Sequence, residues 1–135
     1  MIILCNMTRH ILALFLFLLL LLGLNSCHVD HFKCEPESLV FTSDAQEGNF
    51  VFSGGILCDI YSEEDMTINR GNYIKIESSW YSLYHKKDNN LITVSVKENT
   101  SKEPRQRVID LIYTNEVYRC SGSCLVTIIQ RGREE

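Results

Sequence analysis

The sequence predicts an all-β domain, an antiparallel β-sandwich of about seven strands, behind a short apolar leader. Three observations lead there. Short β-rich runs recur from position 37 onward, turn residues separate them, and no stretch of that part repeats its apolar residues at the helical period. Domain boundaries follow: 1–26 as an export signal, 27–36 as a tether and 37–133 as the sandwich.

The leader comes first. Arg9 and His10 precede the apolar run from Ile11 to Leu22. A helix of that length rises about 18 Å, short of the roughly 30 Å hydrocarbon core, so the run reads as the core of a signal peptide. Translation starts at Met1 or Met7. Leu24-Asn25-Ser26-Cys27 resembles the bacterial lipobox, in which cleavage precedes the cysteine and its thiol receives diacylglycerol. That resemblance implies lipidation at Cys27, with multiple acyl chains giving lasting membrane anchorage. It also implies a cell-envelope location, in the outer membrane, with the periplasmic and surface faces both open.

The strands follow in order. Leu39-Val40-Phe41 and Phe50-Val51-Phe52 flank a turn from Asp44 to Asn49, and Ile56–Tyr61 follows Gly54-Gly55. Tyr73-Ile74-Lys75-Ile76-Glu77 alternates with period two, sending Ile74 and Ile76 inward. Leu91–Lys97 alternates more clearly, with Ile92, Val94 and Val96 on one face. A turn rich in Asp and Asn precedes it, and the stretch from Asn99 to Pro104 follows. Val108–Tyr113 and Leu125–Gln130 complete the set.

Composition narrows the function classes. All 17 acidic residues and 12 of the 13 basic ones lie beyond position 26, so the exported part carries 12 − 17 = −5. Such a chain, without a basic stripe, is poorly made for nucleic acid. Catalysis finds little support: there is no nucleophile elbow or phosphate loop, and His85 is the sole histidine of the sandwich. The expectation is a non-enzyme without cofactors. No metal centre is expected either. His28, His31 and Cys34 lie on the tether, and Glu63-Glu64-Asp65 beside Asp59 reads as a solvated acidic loop.

Once Cys5 and Cys27 are assigned to the leader and anchor, Cys34, Cys58, Cys120 and Cys124 remain. Four thiols in an exported domain point to two disulfides, with three connectivities open. Cys120-Ser121-Gly122-Ser123-Cys124 reads as a flexible loop suited to a local bridge, which leaves Cys34–Cys58 as the preferred second one.

Trp80-Tyr81-Ser82, the run Asn90–Asn99, Arg105 followed by Ile109 and Leu111, and the terminal Val126-Thr127-Ile128-Ile129-Gln130 together resemble the BACON family. The likeness covers about 73–132 well and 37–61 loosely. It lacks the family's earlier Trp near Ile56–Tyr61 and carries an extra Cys120–Cys124 segment. The resemblance implies an immunoglobulin-like sandwich that binds carbohydrate, with Trp80, Asn99, Arg105 and Gln130 at structural family positions. Sugar sites need exposed aromatic faces beside planar polar groups. The densest aromatic cluster is Trp80, Tyr81, Tyr84 and His85. Extending the Ile74–Ile76 alternation puts Trp80 in the core and Tyr81 on the outer face, so Tyr81, Tyr84 and His85 are the candidate ligand contacts. Two partner classes follow: a glycan or glycoprotein, or another cell-envelope protein docked by an accessory subunit. An exposed aromatic patch favours the first, an exposed hydrophobic sheet edge the second.

Overall fold

Alternating side chains that bury one face require a second layer, and the chain supplies it as two stacked sheets. The structure, a computed structural model, describes residues 10–17, 32–115 and 120–135. Cys27, His28 and His31 lie outside the described residues, as does the signal cleavage point. Residues 10–17 form a short helix. Among the described residues, no helix is long and apolar enough to cross a membrane.

The strands are β1 (Lys33–Glu35), β2 (Ser38–Phe41), β3 (Gln46–Ser53), β4 (Ile56–Tyr61), β5 (Thr67–Arg70), β6 (Tyr73–Glu77), β7 (Tyr81–Lys86), β8 (Leu91–Val96), β9 (Arg105–Asn115) and β10 (Cys120–Gln130). One sheet has the order β1-β3-β8-β7-β6-β5 and the other β2-β10-β9-β4. The fold is an all-β, immunoglobulin-like sandwich. Between them the sheets bury Phe50, Ile74, Ile76, Leu83, Ile92 and Val94 from one side and Ile60, Ile109, Leu111, Val126 and Ile128 from the other.

Several expectations are corrected. Ten strands are present among the described residues, and one pair, β2 with β10, runs parallel. Residues 27–36 are not all tether. Phe32 and Cys34 are buried, and β1 pairs with β3 with Cys34 opposite Phe52. The physical reason is alternation: Phe32 and Cys34 point inward while Lys33 and Glu35 stay exposed. The stretch from Gln46 to Asn49 is strand rather than turn.

The cysteine pairing also changes. Cys120–Cys124 is not a loop but the start of β10, laid antiparallel on β9 from Asn115 to Leu111. Four residues of strand separate its ends by about 13 Å, beyond the roughly 7 Å a disulfide can span. Gly122 is required there by close approach, since a Cβ would lie 2.7 Å from the Tyr113 hydroxyl oxygen. The expected Cys34–Cys58 bridge fails for a different reason. A bulge between Leu57 and Asp59 turns Cys58 outward, and its thiol lies 3.3 Å from Thr114 Oγ1. Cys34 faces the opposite way, into the core. Cys34, Cys58 and Cys124 are free thiols in this structure.

Candidate functional site

The four family-like positions gather at one end of the sandwich, where they order the chain. Gln130 is fully buried at 0% exposure. Its Nε2 donates to the Lys97 carbonyl at 2.8 Å, and its Oε1 accepts from Arg105 Nε at 2.9 Å. Arg105 also donates to the Lys97 and Glu98 carbonyls. Asn99 is buried, and its Nδ2 donates to the Glu103 and Arg131 carbonyls. Its Oδ1 accepts from the Ser101 backbone amide. These amides satisfy backbone carbonyls that loops leave without strand partners. They are thus fully occupied within the chain. Burial lowers the pKa of Arg105.

Trp80 belongs to the same end. It is buried at 7% exposure, as expected, but it sits in the bend between β6 and β7 rather than on a strand. The Arg105 guanidinium lies 4.9 Å from its ring centroid, and the Tyr81 ring meets it edge-on at 4.9 Å. Cation–π contact and desolvation act together there.

Tyr81 corrects the expectation that it faces solvent. It is 1% exposed, and its hydroxyl donates to Asp65 Oδ2 at 2.7 Å. Alternation does not carry across Ser78–Trp80, where the strand breaks. β7 then returns antiparallel with Leu83 opposite Ile76, so Tyr81, Leu83 and His85 share the inner face. Burial, then the Asp65 carboxylate, raise the Tyr81 phenol above its ordinary value. Asp65 also accepts from Arg107 Nε at 2.9 Å, and Glu64 pairs with the same guanidinium. The segment expected to be a solvated acidic loop therefore closes this end through ion pairs, and nothing in the sequence spacing signals it. His85 is likewise removed from the surface. It is 1% exposed, with Nδ1 3.0 Å from the Leu91 carbonyl oxygen and its ring edge-on to Phe52.

Of the three candidate contacts, Tyr84 alone is exposed, at 46%. It stands on the outer face of the six-stranded sheet and stacks with Tyr73 at 5.9 Å and 24°. Aromatic density alone misses Tyr73, although the Tyr73–Glu77 alternation sends it outward with Lys75 and Glu77. Strand register surrounds the pair with polar groups. One row runs Lys75–Tyr84–Thr93–Asn49 and the next Glu77–Ser82–Ser95–Glu47. Tyr73, Lys75, Glu77, Ser82 and Tyr84 line a shallow hollow of about 340 Å³. Lys75 pairs with Glu77 at 3.2 Å, and Ser95 Oγ donates to Glu47 at 3.3 Å. The face thus combines a two-ring apolar surface with hydroxyl, amide, ammonium and carboxylate groups.

The outer face of the four-stranded sheet has a different chemistry. Val40, Ile56, Tyr61, Val108, Ile112 and Leu125 are exposed on it. Register sets Leu125, Asp110 and Tyr61 in one row. A hollow of about 540 Å³ opens there, bordered by Glu63, Glu64 and Gln106. It is the larger of the two depressions, but it has a single aromatic ring, and Asp110 lies between Leu125 and Tyr61 on its floor.

No family model matches the chain, and no curated protein matches it. Among solved structures it is similar to the NMR structure of a protein from Bacteroides thetaiotaomicron. That similarity has 12% sequence identity and a TM-score of 0.49, and it covers 79% of this chain and 92% of that chain.

Proposed function

We propose that the protein is a non-enzymatic lipoprotein of the cell envelope that binds a glycan or glycoprotein across the outer face of its six-stranded sheet. The observation that carries this reading is the outward-facing pair of half-buried Tyr73 and exposed Tyr84 amid side chains able to hydrogen-bond hydroxyls. A pyranose ring presents an apolar C–H face and an equatorial rim of hydroxyls. The tyrosine rings suit the first, and Asn49, Thr93, Ser82 and Glu47 suit the second. A flat, open face suits an extended chain of sugars rather than a single enclosed residue. The BACON-like pattern supports the same ligand class.

The anchor is proposed from Leu24-Asn25-Ser26-Cys27. Replacing Cys27 with Ala should move the protein from the membrane to the soluble fraction, and the parent should carry a diacylglycerol mass. Retention of the variant in membranes, with no lipid on the parent, contradicts the anchor. The glycan reading is tested on an array with residues 28–135, which hold all ten strands. Tyr84→Ala should abolish binding while leaving thermal stability unchanged, because the side chain is exposed. Undiminished binding by that variant removes the platform.

A second reading rests on the apolar outer face of the four-stranded sheet. Exposed apolar surface of this kind serves docking of another envelope protein, and the two faces can act together.

A further inference from the structure

We propose that Cys34 and Cys124 form a disulfide that staples β1 of the six-stranded sheet to β10 of the four-stranded sheet. Packing between the two sheets brings β1 and β10 together, and two sets of contacts place the cysteines near each other. In the parallel pair of β2 and β10, Thr127 lies opposite Ser38, and the Thr127 amide donates to the Glu37 carbonyl at 3.0 Å. Three residues before Thr127, β10 carries Cys124, while the chain before Ser38 passes through the bend at Pro36-Glu37 into β1, which carries Cys34. The second set starts from Phe32, whose ring stacks on Tyr113 at 4.0 Å and 4°. Tyr113 in turn pairs with Gly122. Two residues further along each strand, Phe32 leads to Cys34 and Gly122 leads to Cys124.

Both side chains face the interior. Cys34 is a buried core residue, and Cys124 packs against that core from a half-buried position. Each thiol is also held protonated by burial, Cys34 up to about 12, and Cys124 adds to the shift at Cys34. The raised values mean that neither is a standing nucleophile. An inert, paired, inward-facing couple fits a structural bridge rather than a catalytic or sensor cysteine. Cys58, exposed on the bulge of β4, stays outside this pair.

Formation proceeds by exchange with a disulfide oxidant, either a small-molecule or a protein disulfide. The more accessible Cys124 loses its proton and attacks one oxidant sulfur. A mixed disulfide forms and the first oxidant thiolate leaves. Cys34 then loses its proton and attacks Cys124 Sγ, releasing the second thiolate. Two electrons and two protons pass from the cysteine pair to the oxidant, whose disulfide is reduced to two thiols. The two cysteines are 124 − 34 = 90 positions apart, and the loop between them takes in all of β2 to β9. A loop of that size places a large constraint on the unfolded chain.

The test uses the full chain equilibrated with glutathione disulfide, then alkylated under denaturing conditions, digested and peptide-mapped. A Cys34–Cys124 linked peptide is expected, with Cys58 alkylated. Melting should fall by roughly 10 °C or more on adding dithiothreitol. Cys34→Ala, Cys124→Ala and the double variant should share that lower Tm and ignore the reductant, since any of them removes the same single bond. Alkylation of both Cys34 and Cys124 in the parent overturns the proposal. So does linkage of either to Cys5, Cys27, Cys58 or Cys120. Additive losses in the two single variants, insensitive to reductant in the parent, would mean two packed thiols and no bridge. The map of the parent decides the matter even if a variant fails to fold, and none of these outcomes depends on glycan binding.

Discussion

Trp80→Ala should bring the domain close to unfolding. The indole is 7% exposed, so nearly the whole side chain is withdrawn from water on folding. A tryptophan buries up to about 250 Å², and at about 25 cal/mol/Å² that area is worth about 6 kcal/mol. Partial collapse of neighbours reduces the measured loss to the range of about 3–5 kcal/mol found for large aromatic truncations. About 1 kcal/mol of that loss is the cation–π contact with the Arg105 guanidinium, 4.9 Å from the ring centroid. A domain of this size has about 5–15 kcal/mol in all. Urea unfolding followed by circular dichroism is the assay, because the substitution removes the sole Trp fluorophore. With a slope near 1.5 kcal/mol/M, the midpoint should drop by roughly 2–3 M. In the parent, fluorescence should be blue-shifted and poorly quenched by iodide. A midpoint shift below about 0.5 M, on the same scale, together with a red-shifted, quenchable indole, would refute the burial argument.

Tyr81→Phe removes the hydroxyl that donates to Asp65 Oδ2 and should cost about 1.5–3 kcal/mol by urea unfolding, since the acceptor is charged. The Tyr81 phenol is raised in the folded state, so its contribution is full below the unfolded value near 10 and is lost as pH rises above it. The variant should therefore lose less stability than the parent as pH rises past about 10. Gln130→Ala strips a buried amide from the Lys97 carbonyl and Arg105 Nε, and about 2–4 kcal/mol should go with it in the same assay. A loss below about 1 kcal/mol would mean that water replaces the amide at that end of the sandwich.

The sandwich was legible where period-two alternation was uninterrupted. Tyr73–Glu77 and Leu91–Val96 occupy the strands and faces their patterns assign. Legibility failed where a turn resets the parity. Tyr81 was assigned outward by continuing the alternation of β6 through Ser78–Trp80, but β7 reverses direction there and turns it inward. Small residues misled at Cys120–Cys124, because Ser-Gly-Ser marks loops in general. Here Gly122 is a strand residue shrunk to fit beneath Tyr113. β1 was missed because three residues are too few to show a period, and only pairing with β3 reveals it. On the candidate site, Tyr84 was read from aromatic density and Tyr73 was readable from alternation. The ion-paired closure of Asp65 with Arg107 joins residues 42 positions apart and left no local signal.

The central claim, a glycan platform on the six-stranded sheet, is tested most directly by mapping amide and side-chain NMR shifts while titrating the strongest array ligand into the 28–135 domain. Shifts should concentrate at Asn49, Tyr73, Lys75, Ser82, Tyr84 and Thr93, and Tyr84→Ala should erase them. Shifts centred instead on Tyr61, Val108, Ile112 and Leu125, or none at any sugar concentration, would contradict it.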